Sequence, residues 1–161
     1  MRHSVVLASA LWLVGLSACR TYQNIPAGEV TAAQVGASGR WSAALAPPPA
    51  LGGALAVSGW AAMVRDSSGL GTQVTLSLSD APAASVHQWS VNRGRCGADE
   101  GVFGSAGVYQ PIRADSAGRA TASARVKLPL AAAGQYFVSV RARAPGGETT
   151  VACGNFAAPL K

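Results

Sequence analysis

The chain has 161 residues, of which 49% are hydrophobic and 12% charged, and its formal net charge is +6. This hydrophobic fraction argues against a disordered chain, and the length allows one domain of ordinary size, or one domain plus a tail. No segment reaches the roughly 18–20 apolar residues of a membrane-spanning helix. The two histidines, His3 and His87, are too few for a metal centre built on several imidazoles.

The N-terminus has the pattern of an export signal. A basic start at Arg2 is followed by an apolar run from Val5 to Leu16 and then by small residues. Such a run is too short to span a bilayer, and its order of charged, apolar and small residues is typical of a cleaved signal peptide. The sequence therefore predicts a signal peptide over residues 1–18.

The end of this signal, Leu16-Ser17-Ala18-Cys19, resembles the lipobox of bacterial lipoproteins. The resemblance implies that the Cys19 thiol is diacylated, that cleavage occurs just before it, and that the new amine is acylated. The alternative is an ordinary cleaved signal with a chance cysteine. Arg20, where many inner-membrane lipoproteins have Asp, favours the outer membrane and its periplasmic side. Residues 19–40 are then predicted to be a tether with a coil span of about 25 Å.

The other two cysteines are expected in an oxidising compartment. An even pair there, Cys96 and Cys153, is most simply a disulfide. A soft-metal pair or a redox couple are the alternatives, although both usually come as closely spaced Cys-x-x-Cys pairs.

From Trp41 onward the apolar residues recur with period two, most clearly over 119–128, where Ala120 to Leu128 alternate with polar residues. Turn residues separate such runs, and no stretch after the signal shows sustained helical periodicity. The pattern predicts an all-β sandwich or barrel in one domain over residues 41–161. The predicted strands are 41–46, 54–65, 72–79, 86–92, 109–112, 119–128, 135–143 and 149–156.

The excess of basic over acidic residues does not indicate a nucleic-acid-binding protein. The arginines are scattered among strand-like segments, without the clustered stripe and interleaved aromatic residues of a nucleic-acid-binding surface. His87 has no nucleophile motif or partner histidine, so we expect a core or rim histidine bonded to backbone. Asp99 and Glu100 are adjacent, which favours a solvated turn over a catalytic carboxylate pair.

Three segments resemble the copper/zinc superoxide dismutase fold, especially its short bacterial lipoprotein relatives, and share elements with the chordin-type repeat domain. They are 87–97 (HQWSVNRGRCG), 134–141 (GQYFVSVR) and 151–156 (VACGNF). The resemblance covers residues 41–157. It implies a Greek-key β-barrel or sandwich of about eight strands, with a disulfide between Cys96 and Cys153.

The departures from that family concern its metal site. Its central strand carries His-x-His, where this chain has Ser90 and Asn92, and a later histidine corresponds to Arg141. The family's anion-guiding arginine corresponds to Thr150, and the loop after Cys96 has no histidine. Serine and asparagine do not replace imidazoles as copper ligands. The resemblance therefore implies a domain that has no metal cofactor and no dismutase activity. We expect that this domain is not an enzyme.

Two alternatives remain at this point. One is a residual copper-dependent dismutase that uses other ligands, and the other is a periplasmic copper carrier. The carrier is disfavoured because Met63 and His87 are the only soft or imidazole side chains of the β domain outside the two cysteines.

Arg141 beside Ser90 and Asn92 would turn the former metal site into a small, positive, polar patch. With Arg93, Arg95 and Arg143 close by, this patch would bind an anion or an acidic partner. The alternative is a set of arginines on a solvated strand face. The expected function is a non-catalytic binding or envelope-structural module, held at the membrane by lipid, whose partner is an unknown envelope protein or anionic ligand.

Overall fold

The computed structural model describes residues 39–51 and 57–159. The predicted signal peptide, the predicted lipidation site Cys19 and nearly all of the predicted tether lie outside the described residues. Within those residues, no helix has the length and apolar character needed to cross a bilayer.

The described residues contain nine strands and two short 3-10 turns. The turns are Pro49–Leu51 and Ala106–Val108. The strands are β1 (Trp41–Leu45), β2 (Ser58–Arg65), β3 (Thr72–Ser79), β4 (Val86–Arg95), β5 (Ala98–Val102), β6 (Ile112–Arg113), β7 (Ala120–Val126), β8 (Tyr136–Ala144) and β9 (Gly147–Asn155).

The strands form two antiparallel sheets. The first sheet has the order β1-β2-β3-β7, and the second has the order β5-β4-β8-β9, with β6 paired to the beginning of β4. The chain crosses from the first sheet to the second after β3. It returns to the first sheet for β7, which lies beside β3, and crosses again for β8, which lies beside β4. This arrangement confirms the prediction of an all-β domain.

The two sheets meet differently at their two sides. At one side, isolated bridges join Ser42 to Ala157 and Ala46 to Cys153. At the other side lie β7 and β5, which within the described residues pair only with β3 and β4 respectively. We call this side the open seam. The described strands therefore do not close into one continuous hydrogen-bonded barrel.

Period-two patterning explains the clearest strands. In β3, Val74, Leu76 and Leu78 are buried, while the residues between them are partly exposed. In β7, Ala120, Ala124 and Val126 are buried in the same way. The expected continuation of β7 to Leu128 is wrong, because the strand ends at Val126 and Leu128 is 44% exposed.

The core lies between the sheets and draws residues from both. Aromatic rings meet edge to face inside it, with centroid distances of 5.5 Å for Trp41–Tyr136, 5.0 Å for Trp89–Tyr109 and 4.9 Å for Phe103–Tyr136. Such pairs add to the stabilisation from burial. Trp89 is thus a packing residue, whereas Trp60 is 49% exposed on β2.

Two predicted segments differ in the structure. The expected strand over 109–112 is reduced to the two residues of β6, after the 3-10 turn at Ala106–Val108. The strand β5 was not predicted. It forms because β4 turns back on itself through Cys96-Gly97, with Gly97 at a φ of 87°, and so brings β5 alongside β4.

Candidate functional site

The centre of β4 is buried on both faces. Trp89 and Val91 point into the core between the sheets, and both are 1% exposed or less. Ser90 and Asn92 lie on the opposite face, because side chains alternate along a strand. They are nevertheless only 3% and 2% exposed. The two residues at the expected ligand positions thus share one face, and both are withdrawn from solvent.

Ser90, Asn92 and Ser139 of β8 hydrogen-bond to one another, and we call them the buried polar network. The Ser90 hydroxyl donates to Asn92 Oδ1 at 3.2 Å, and Asn92 Nδ2 donates to Ser139 Oγ at 3.1 Å. The two serine hydroxyls lie 3.4 Å apart, as expected from the pairing of Ser90 with Ser139 across the ladder. The side-chain polar groups of the network therefore find partners within it.

Arg141 lies two residues beyond Ser139 on β8 and pairs with Gln88 of β4. It makes no hydrogen bond to Ser90 or Asn92. Its Nη1 is 3.5 Å from Glu148 Oε2, in an ion pair whose side chains are 39% and 44% exposed. Its Nε is buried and has no hydrogen-bond partner among the described residues. The structure thus places Arg141 beside the buried polar network but outside it.

Ser139 and Arg141 both line a groove of about 920 Å³ on this side of the sheet. The bond between Cys96 and Cys153 confirms the predicted disulfide and forms part of the wall, so we call this cavity the disulfide groove. Cys153 is paired with Ser139 in the β8–β9 ladder. The other lining residues are Ala44, Ala46, Pro47, Pro48, Pro49, Gly97, Asp99, Phe137, Thr150, Gly154 and Asn155.

The groove combines hydrogen-bond donors with an apolar wall. Arg141 is the cation of its lining and Asp99 the carboxylate, while Ser139 and Thr150 supply hydroxyls. Asn155 also holds the disulfide loop, because its Oδ1 accepts a hydrogen bond from the Cys96 backbone N–H at 2.8 Å. This arrangement suits recognition of a small anionic group more than acid–base chemistry, since the described residues that line the groove include no imidazole and no second carboxylate.

His87 lies on the other face of β4, with Trp89, and is 2% exposed. Its Nε2 is 2.7 Å from the Ser85 hydroxyl, and its Nδ1 has no hydrogen-bond partner of good geometry among the described residues. Burial lowers the pKa of this imidazole, and the neighbouring backbone of Arg141 opposes that change in part. His87 is therefore a core histidine, and its Nε2 lies in hydrogen-bond contact with the Ser85 hydroxyl.

The other arginines of the predicted patch are not all in the groove. Arg93 lines a different cleft at the open seam, and Arg95 donates from Nε to Gln135 Oε1 at 3.0 Å. Arg143 lies opposite Glu148 in the register of the β8–β9 ladder. Of the four arginines, the structure thus assigns only Arg141 to the groove. Across the described ranges, no group of three or more His, Cys, Asp or Glu side chains is placed to hold a metal ion.

Ser139 and Glu148 are the participants that the sequence interpretation missed. Alternation along β8 places Ser139 on the same face as Arg141, which was a usable signal. The contact between Arg141 and Glu148 depends on the hairpin between β8 and β9, whose register is not readable from either segment alone.

A scan against protein-family models and a search of curated proteins both find no match for this chain.

Proposed function

We propose that this chain is a lipoprotein of the bacterial envelope, held by acyl chains on Cys19, whose β domain is a non-catalytic binding module of the superoxide dismutase-like type. The observation that carries this proposal is the buried polar network. By the resemblance, Ser90 and Asn92 correspond to that family's paired copper ligands, and their polar groups are engaged with each other and with Ser139.

The chemistry of the network argues against a metal at this face. Hydroxyl and amide groups are weak ligands for copper compared with imidazole. Freeing them for a ligand would also break hydrogen bonds between buried groups, which costs about 1–3 kcal/mol for each group left unsatisfied.

The fold supports the dismutase-like assignment in two respects. The long connections that place β7 beside β3 and β8 beside β4 are the kind that a Greek key requires. The disulfide joins Cys96 to Cys153, the two positions that the resemblance implies.

The ligand we propose for the disulfide groove is a carboxylate of an acidic glycan or an acidic protein segment. Arg141 lines the groove with a side chain that is 39% exposed, and its guanidinium makes only a 3.5 Å ion pair to Glu148. A carboxylate in the groove would accept from the guanidinium as a two-point partner, the geometry for which arginine is suited.

Metal content tests the non-catalytic assignment. The full chain is expressed in a bacterial host supplied with copper and zinc, purified from the envelope, and analysed by mass spectrometry, with a known periplasmic copper protein prepared alongside. We expect a metal content near zero per chain. About one copper per chain would overturn the proposal in favour of a copper-dependent dismutase or a copper carrier, and His87→Ala would then identify the ligand.

Titration with an acidic oligosaccharide tests the groove. We expect oligogalacturonate to raise the melting temperature of the native chain and to have no effect on Arg141→Gln. The matched control is Arg113→Gln, which removes the same charge from an exposed arginine whose guanidinium donates to the Ala84 carbonyl. An unchanged melting temperature in the native chain, or an equal response in both variants, would contradict the proposed ligand site.

Metabolic labelling with palmitate tests the anchor. The native chain should incorporate label and fractionate with the outer membrane on a density gradient, whereas Cys19→Ala should carry no label. A native chain that is exported without label would refute the lipid anchor.

A further inference from the structure

A second cleft, of about 600 Å³, lies at the open seam between the two sheets. Its cationic side chains come from both sheets, Arg93 from β4 and Arg125 and Lys127 from β7 and the residue after its end. The remaining lining residues are small or apolar: Val102, Gly104, Ser105, Val108 and Leu128. This cleft shares no lining residue with the disulfide groove.

Within the described residues, the three cations of the cleft have no ion-pair partner. Across the described residues, no carboxylate lies within 4 Å of Arg93, Arg125 or Lys127, since the ion pairs there are Arg119–Asp115 and Arg141–Glu148. Glu100 shares an adjoining depression with Arg93 without forming an ion pair. The cleft therefore presents excess positive charge to solvent.

The nearest turn carries an acidic residue that is already engaged. Asp66 Oδ1 accepts hydrogen bonds from the Ser68 hydroxyl at 2.6 Å and from the Gly71 backbone N–H at 3.2 Å. These bonds lower the pKa of the Asp66 carboxyl. Asp66 therefore serves its own turn and does not pair with the cleft.

Two exposed leucines accompany the cations. Leu128 is 44% exposed and Leu70, in the turn between β2 and β3, is 75% exposed. They are two of the four large apolar side chains that the described part of the chain leaves exposed, the others being Trp60 and Val86. The Thr72 hydroxyl donates to the Leu128 carbonyl at 2.7 Å, which ties the end of that turn to the Leu128 segment. We call Leu70, Arg93, Arg125, Lys127 and Leu128 the basic tip.

The chain enters the fold at the same end of the first sheet. β1 begins at Trp41, which pairs with Met63 near the end of β2. Arg65, two residues further, pairs with Thr72, and Thr72 pairs with Val126 at the end of β7. The start of β1, the Leu70 turn and the end of β7 therefore lie at one end of the molecule, and residues 1–38 precede that end.

We propose that the basic tip is a docking surface for an anionic phospholipid bilayer. Arginine and lysine are attracted to a negatively charged lipid surface, and exposed leucines beside them can enter its interfacial layer. Because the described chain begins at this end, an acyl anchor on Cys19 would keep the basic tip within reach of the membrane. The orientation rests on the lipid anchor proposed above, whereas the lipid affinity of the basic tip does not.

Vesicle binding of a chain without acyl groups tests this surface by itself. The mature chain with Cys19→Ser is exported behind an ordinary signal peptide, which leaves the buried core between Trp41 and Phe156 intact. Its sedimentation is measured with phosphatidylethanolamine vesicles that contain or lack phosphatidylglycerol. The tip variant is Arg125→Gln with Lys127→Gln. The control is Arg113→Gln with Arg119→Gln, which removes the same charge near the opposite end of β7.

We expect binding that requires phosphatidylglycerol and weakens with added salt, since exposed charges are screened. The tip variant should bind about tenfold more weakly, and the control should stay within about twofold of the parent chain. Near-ultraviolet circular dichroism checks that the fold is retained, and Lys127→Glu alone replaces the double variant if the fold is lost.

Three outcomes would overturn the docking surface. They are the absence of binding that depends on phosphatidylglycerol, an equal loss in the tip variant and its control, and stabilisation by inorganic phosphate without vesicle binding, which would indicate a small-anion site instead. Failure of palmitate labelling at Cys19 would leave this result unchanged, so the two proposals fail separately.

Discussion

His87 is a single titratable group that links pH to stability. Its imidazole is 2% exposed, and burial lowers its pKa from the ordinary value of 6.5. Because the unfolded chain then binds a proton more readily than the folded chain, stability increases with pH through this range.

We therefore expect the free energy of unfolding to fall as the pH drops below about 6.5, and to level off below the lowered pKa of the folded state. Urea denaturation between pH 7.5 and pH 4.5 measures this effect. His87→Gln should remove the slope in that window. The pKa values of Asp66 and Asp115 are lowered from 3.8, so their contribution appears only at more acidic pH. A native slope equal to that of His87→Gln would contradict the assignment.

The candidate site was predictable to the extent that it depends on one strand. That Ser90 and Asn92 share a face follows from period two, and Arg141 follows from alignment to the resembled segment. Ser139 completes the network only because β4 and β8 pair in the register that sets Ser90 opposite it. That register depends on how two segments far apart in the sequence pair with each other. No pattern within either segment specifies it.

Gly154 is required where β9 passes β1. A Cβ at this position would lie 2.3 Å from the Ala44 carbonyl oxygen and 2.9 Å from its carbon, both backbone atoms. The bridge from Cys153 to Ala46, with N–O distances of 2.9 and 3.1 Å, holds the two strands at this separation.

We expect Gly154→Ala to lower the free energy of unfolding by about 2 kcal/mol, because overpacking forces the backbones apart. The control is Gly107→Ala, where the nearest atom is the Ser105 hydroxyl oxygen at 3.8 Å, and its effect should stay within about 0.5 kcal/mol. Thermal and urea unfolding of the two variants measure the difference. Equal stability would mean that β1 and β9 can separate without cost.

Strands with regular alternation were the predictable elements. The bounds of β3 coincide with the predicted segment 72–79, because Val74, Leu76 and Leu78 all face one core. The unpredicted strand β5 consists of Ala98-Asp99-Glu100-Gly101-Val102, in which the first four residues are exposed. Its extended conformation comes from pairing with β4. Its sequence therefore shows no alternation of apolar and polar residues that would predict a strand.

The disulfide acts on the whole molecule, because it joins residues 57 positions apart. In the chain-entropy model, a closed loop of that size stabilises the folded state by about 4 kcal/mol relative to the open unfolded chain. It also joins the turn between β4 and β5 to β9, which belongs to the same sheet as those two strands.

We expect Cys96→Ser with Cys153→Ser to lower the free energy of unfolding by about 4 kcal/mol. Urea denaturation at neutral pH measures this quantity. Reduction of the chain that carries Cys19→Ser should produce a similar loss, since its remaining cysteines are the bonded pair. A loss below about 1 kcal/mol would show that the loop between them is already restrained in the unfolded chain.

Among the described strands, the open seam leaves β7 and β5 outermost, and their side chains bear on edge-to-edge pairing between copies of the molecule. An outermost strand with free backbone groups is a template for edge-to-edge aggregation unless charge, shortness or irregularity prevents it. β7 carries Arg125, with Lys127 just beyond its end, while β5 is five residues long and presents Asp99 and Glu100. A second copy that paired its own β7 with this β7 would bring like charges together, so Arg125 and Lys127 oppose the joining of two copies through β7.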